Sequence, residues 1–540
     1  MGSGDGPDEA GRLVRGMIDR RTFLKGAGVT LLSLSQFDRI ALSAPGGPPK
    51  RGGIFVVGAD VSPPGLDPAK SAAAHTWMIS EHVYSNLLRR SPSNKLIPDL
   101  AESYEVTNPT TFVFKLRRGV QFHNGREVVA DDVKYSIERM MDQRTGSPWR
   151  SIWLIIDRIE TPDKYAVRFV TRRPFAPFLS YLGTPHYSAI VPKEVVERAG
   201  DLQQTASGTG PFMLERFVAE NIVVLKRNPN YYESGLPYLD AIEYRIIPDE
   251  AARLAALRTG SIHYTWSADP LVDEQIRTMP GVALLLPKGY CAQHTLVFNQ
   301  TKPPFNDVRV RRAISLGVNR REIIRAVLRG KGAISTKIPP CDAPFGYSGD
   351  EKGLPFHEHN PTAARQLLSE AGFPNGIDTT LEVPPRFPFT VRTGEVMREQ
   401  LAQAGVRLTL RQGEWGALLT AFVRTTYDGM SMIPTVWQPD PDAHVYDIFH
   451  SDSAINLGKF RDTFVDQLLD QGRTTIERDK RIAIYQQLQR HVAEQVYMLW
   501  PYSSGAVELV RDFVKGYVSL PGAQPGSRSR QFFKTIWLDK

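Results

Sequence analysis

Four tryptophans stand at the ends of predicted elements and not within apolar stripes: Trp149 in Ser147-Pro148-Trp149, Trp266 in Tyr264-Thr265-Trp266-Ser267, Trp415 in Gly413-Glu414-Trp415, and Trp437 in Val436-Trp437-Gln438-Pro439-Asp440. A rigid aromatic ring at such a place anchors a small molecule in a cleft, or else caps a core. Next to Trp437, Asp440 begins Asp440-Pro441-Asp442, where a carboxylate can accept local N–H groups in an Asx-type turn. This is the chemistry of recognition. The signatures of catalysis are missing from the string: no Gly-x-Ser-x-Gly elbow, no His-Glu-x-x-His, no Walker A loop, and no Gly-x-Gly-x-x-Gly after a strand. Catalytic triads can be scattered along a chain, so a secreted hydrolase stays as the rival from another class, with a periplasmic chaperone behind it. Cys291 and Cys341 are the 2 cysteines, with no metal-site spacing, and His357-Glu358-His359 reads as a solvated loop pair. No cofactor or metal is expected.

The elements that must carry these residues are clearest from Leu296 to Gly330. Leu296-Val297-Phe298 has the length of a buried strand, and Lys302-Pro303-Pro304 stops it because proline has no N–H to give a ladder. Asn306 or Asp307 then serves as N-cap to a helix striped by Val310, Ala313, Ile314 and Leu316, ending at Gly317. Asn319 and Glu322 have capping-box spacing for a second helix, with Ile323, Ile324, Val327 and Leu328 inward and Gly330 just past its end. Similar alternation runs through the chain: strand 54–58, helix 72–88, strand 112–116, helix 131–141, strand 165–170, a strand pair 212–217 and 222–227, helices 249–258, 361–371 and 393–404, strand 407–411, and helices 462–471 and 478–494. That pattern predicts α/β layers. At 540 residues the chain exceeds what one core usually serves, so two or three domains are expected. The net charge of +8 is spread out, with no basic run interleaved with aromatics, which argues against nucleic-acid binding.

The literal motifs are more specific than the pattern. The run from Asn299 through Pro303-Pro304-Phe305-Asn306-Asp307, Arg309-Val310-Arg311 and Asn319-Arg320 resembles the extracellular solute-binding proteins of family 5, the peptide, nickel and opine receptors of ABC importers. Gly52-Gly53, Leu66-Asp67-Pro68, Leu100-Ala101-Glu102-Ser103, Phe112 to Gly125, Gly208-Thr209-Gly210-Pro211-Phe212 and Arg227-Asn228-Pro229-Asn230-Tyr231-Tyr232 match the same family in the same order. The resemblance covers about residues 51 to 540. It implies a two-lobed periplasmic binding protein of the class II, three-domain peptide-binding type: a base domain at 45–90, 210–288 and 505–540, an inserted domain at 91–209, and an opposing lobe at 289–504. A hinge is expected at Gly208–Pro211.

Within that family the four tryptophans match motifs that face the ligand. Many peptide-binding members also carry a Trp-x-x-Asp whose carboxylate pairs with the ligand's α-ammonium, a spacing kept by Trp437 and Asp440. Alternatively Pro441-Asp442-Ala443 matches a later Pro-Asp-Pro-Asp seen in other members, in which case the amine-binding Asp is missing and Asp440 is a turn residue. The N-terminal Asp19-Arg20-Arg21-Thr22-Phe23-Leu24-Lys25, followed by an uncharged stretch from Gly26 to Phe37, resembles a Tat-type signal peptide occupying 1–44. The uncharged stretch is too short to span a bilayer. With no cysteine beside the expected cleavage region, a free periplasmic monomer without a lipid anchor is expected. A Tat substrate folds before meeting an oxidising compartment, so no bridge between Cys291 and Cys341 is expected. The implied partners are an ABC permease, the Tat machinery, and a peptide-like ligand, with opine, oligosaccharide and metal chelate left open.

Overall fold

The computed structural model describes residues 47–93, 95–267, 269, 272–285, 292–334, 354–435, 440–453, 456–505, 507–518 and 529–540. The expectations on residues 1–44, Cys291, Cys341 and Trp437 lie outside them.

Three main sheets organise the described residues. The first has seven strands, in the order Val282–Leu285, Val507–Arg511, Tyr264–Ser267, Ile54–Ala59, Ala241–Ile246, Ile222–Arg227 and Phe212–Val218. Its centre is parallel: Ile54 stands opposite Ala241, and Val57 opposite Tyr264. The run Phe55-Val56-Val57-Gly58-Ala59 is buried throughout, as a strand covered on both faces must be. The second sheet is antiparallel, in the order Ala101–Asn108, Thr111–Leu116, Ala166–Thr171 and Ile156–Asp163. Phe112, Phe114 and Leu116 alternate into its core, where Phe114 meets Phe169 edge-on at 5.7 Å.

The third sheet lies wholly within 292–504, in the order Val406–Gln412, Ile377–Val383, Met430–Thr435, Ala292–Phe298 and Met498–Leu499, with Ser503–Ser504 also on Ala292–Phe298. Ile377–Val383 is parallel to both of its neighbours. The chain passes between the first and third sheets twice, between Leu285 and Ala292 and between Ser504 and Val507.

The helices follow their caps. Asp307, rather than Asn306, caps Val308–Gly317 through Arg309 N–H, and Asn319 caps Arg320–Leu328 through Glu322 N–H. Asp249 caps Glu250–Thr259, which Gly260 closes in the left-handed conformation. The helix expected over 72–88 is shorter, Ala74–Val83, and its end shows why Gly208 and Gly210 are glycines. Gly210 N–H donates to Val83 O at 2.9 Å, and a Cβ on Gly210 would lie 2.2 Å from His82 O. A Cβ on Gly208 would lie 2.2 Å from Val83 O, and Gly208 N–H donates to His123 Nδ1 at 3.2 Å. The segment read as a hinge packs against a helix end, and its glycines permit that close approach.

Candidate functional site

In α/β sheets, ligands sit beyond the carboxyl ends of parallel strands, where loops diverge and backbone N–H and C=O groups lack ladder partners. Both parallel centres of this molecule deliver charged and aromatic residues to such ends. Asp60 follows Ile54–Ala59, and Asp269 follows Tyr264–Ser267, the strand that carries Trp266. From the third sheet, Arg386 follows Ile377–Val383, Glu414 and Trp415 follow Val406–Gln412, and Asp440 follows Met430–Thr435 by five residues.

These two sets of strand ends meet. Arg386 Nη2 lies 2.7 Å from Asp60 Oδ2, and Arg392 Nη2 lies 2.9 and 3.0 Å from the Asp269 carboxylate. Further out, Arg329 pairs with Glu274. His75 Nε2 holds the other Asp60 oxygen at 3.0 Å. Burial acts to raise the Asp60 pKa, but the His75 hydrogen bond and the charges of His75, Arg386 and Arg253 outweigh it, leaving the carboxyl well below the usual carboxylate range. Glu250 accepts from Ser267 Oγ at 2.7 Å, while burial raises its pKa.

A second junction joins the third-sheet lobe to the antiparallel domain. Tyr181 Oη donates to Asp442 Oδ2 at 2.8 Å, and Arg473 Nε donates to Asp442 Oδ1 at 2.8 Å. Ala176 N–H donates to Arg473 O at 2.8 Å. Beside this lies Asp440, 2% exposed, whose Oδ2 accepts from Arg481 Nη1 at 3.0 Å and whose Oδ1 accepts from Arg481 Nη2 at 2.6 Å. Asp442 N–H also donates to Asp440 Oδ1 at 3.0 Å, forming an Asx turn. The charge partner the structure gives this carboxylate is internal.

The tryptophans divide. Trp415, half-buried at the start of helix Trp415–Arg424, stacks edge-on against Phe387 at 5.2 Å, directly beside Arg386. Trp266 is half-buried on strand Tyr264–Ser267, which precedes Asp269. Trp149 is elsewhere: it is 8% exposed, donates from Nε1 to Pro68 O at 3.2 Å, and packs edge-on against Tyr187 at 4.7 Å. It belongs to the core beneath the antiparallel sheet.

Sequence reading passed over Asp60, Asp269, Arg386 and Arg392, because a lone charge looks like surface. The signal that could have found the first three is position, each lying within three residues of a strand's carboxyl end, whereas Arg392 lies inside helix Pro388–Gln403. Among the described residues no group of three or more His, Cys, Asp or Glu could hold a metal ion. Of the expected solvated pair, Glu358 and His359 are exposed and His357 is half-buried, where burial and then the Arg320 charge push its pKa down to about 3. No described helix is long and apolar enough to cross a membrane.

Two α/β lobes that meet at the carboxyl ends of their parallel strands, with two chain crossings between them, define the two-lobed periplasmic binding protein fold. Solved structures share it: DppA of Helicobacter pylori, an ABC transporter-associated periplasmic binding protein in complex with the peptide STSA, superimposes with TM-score 0.80 at 25% identity, over 91% of this chain and 99% of that one. AppA of Bacillus subtilis in complex with a nonapeptide gives TM-score 0.81 at 22% identity, over 91% and 100%. Residues 95–456 match the model of the bacterial extracellular solute-binding proteins, family 5 (middle region), and the chain belongs to that family. Among curated relatives, di/tripeptide-binding protein 2 of Pseudomonas aeruginosa is 29% identical over 89% of this chain and 94% of the relative. The dipeptide-binding protein of Escherichia coli is 29% identical over 85% and 91%.

Proposed function

We propose that this protein is the periplasmic receptor of an ABC importer, capturing a peptide-like solute between its lobes and handing it to the permease. The observation that carries this reading is the meeting of oppositely charged strand ends from two lobes, Arg386 with Asp60 and Arg392 with Asp269. A polar solute entering there contacts both lobes only when they are closed, so binding shifts the open–closed equilibrium by the energy of those contacts. No bond is made or broken. Trp415 and Trp266 are the aromatic walls of the cleft, and Trp149 supports the inserted domain from behind. The names of the curated relatives, peptide-binding proteins matched over nearly their whole length, support a peptide-like ligand. Arg20-Arg21 supports Tat-dependent export.

Calorimetry with a di- and tripeptide library, followed by mass spectrometry of the recovered peptides, tests this. One saturable site with every peptide recovered intact is expected. Turnover, or binding of unfolded chains without saturation, would overturn the reading.

A further inference from the structure

The surroundings of Asp440 say which end of a solute this cleft does not read. Resting on the reading just given, we infer that Asp440 does not read the amino end of a peptide-like solute, so that a free and an acylated amino nitrogen are accepted alike. Both oxygens of Asp440 are engaged by the Arg481 guanidinium at 2.6 and 3.0 Å, and Asp442 N–H supplies a third bond. Arg481 is held in turn, its Nε donating to Gly472 O at 2.8 Å, so the pair is fixed from both sides.

The wider field has the same sign. Arg473 holds Asp442 at 2.8 Å, and buried Arg90, which donates to Ser180 Oγ at 2.8 Å, feels the Asp440 charge. Each of these two buried carboxylates thus has a buried guanidinium of its own. For an ammonium to take Asp440, Arg481 would have to be released into a site sealed from water, at a cost of roughly two to three powers of ten in affinity.

The test compares trialanine with N-acetyl-trialanine by calorimetry on the full chain, together with urea unfolding of ligand-free Asp440→Asn, Arg481→Gln and the double variant. Acetylation is expected to leave Kd unchanged within threefold. The two substitutions should couple, the double variant unfolding more than tenfold less readily than the summed single effects require; a single variant that fails to fold while the double folds counts as coupling. A loss of thirtyfold or more on acetylation, or additive substitutions, would overturn the inference. Binding of neither tripeptide defeats the peptide reading instead, and the unfolding cycle then decides whether Asp440 is an internal partner.

Discussion

At the scale of single residues, charge partners settle what side-chain type alone leaves open. Asp440 could be read as an amine acceptor or as a turn residue, and its spacing from Trp437 served either. What distinguishes them is Arg481, 41 residues away in sequence, which no local pattern reveals. Arg311 and Arg320 teach the same lesson. In a run of Val-Arg-Val-Arg-Arg and Asn-Arg-Arg they look like a solvated face, yet both are 4% exposed. Arg311 donates to Phe305 O at 2.7 Å and Gln495 O at 2.9 Å, and Arg320 to His357 O at 2.8 Å. Burial lowers their pKa values, to about 10 and about 9, so both stay charged at neutral pH and bind carbonyls that lack partners. Asp60 gives the prediction at this scale. A carboxyl depressed by folding contributes stability above its unfolded pKa of about 3.9, and that contribution is lost as pH falls through the lower folded value. Urea unfolding at pH 6 and pH 3 is expected to show a smaller acid-induced loss in Asp60→Asn than in the unchanged protein; equal losses would mean that Asp60 contributes nothing.

At the scale of elements, helix starts were the most legible feature. Asp249, Asp307 and Asn319 each cap the helix their position announces, because capping is local chemistry. The Asn319–Glu322 capping box is only half formed, and the reason is tertiary. Asn319 Oδ1 takes Glu322 N–H at 3.1 Å, but Asn319 N–H goes to Gln400 Oε1 at 3.0 Å, and Gln400 Nε2 takes the Glu322 carboxylate at 2.9 Å. A buried glutamine of helix Pro388–Gln403 thus inserts between the two members of the box and ties one helix to another. Gln400→Ala should therefore cost about 1 to 3 kcal/mol, more than a solvated helix residue would. A urea midpoint shifted by less than about 0.5 kcal/mol, the range of ordinary surface substitutions, would show that Glu322 closes the box unaided. The shortened helix at Val83 is the opposite case, since what ends it is a backbone arriving from Gly208–Gly210, far along the chain.

At the scale of the molecule, alternating strands and helices announced α/β layers, but not which strand ends face one another. That arrangement follows from strand order, and it brings Asp60 to Arg386 across 326 residues of sequence. The ion pairs Arg386–Asp60 and Arg392–Asp269, together with the Tyr181–Asp442 hydrogen bond, are contacts that separation of the lobes would break. A solute that contributes contacts of its own at the same place favours the closed form. Small-angle X-ray scattering on protein stripped of solute by unfolding and refolding, then titrated with a di- and tripeptide mixture, measures this directly. The radius of gyration is expected to shrink and to saturate at one equivalent of bound solute, with the transition weakened in Arg386→Ala. Stoichiometric binding with no change in the radius of gyration would contradict capture between closing lobes.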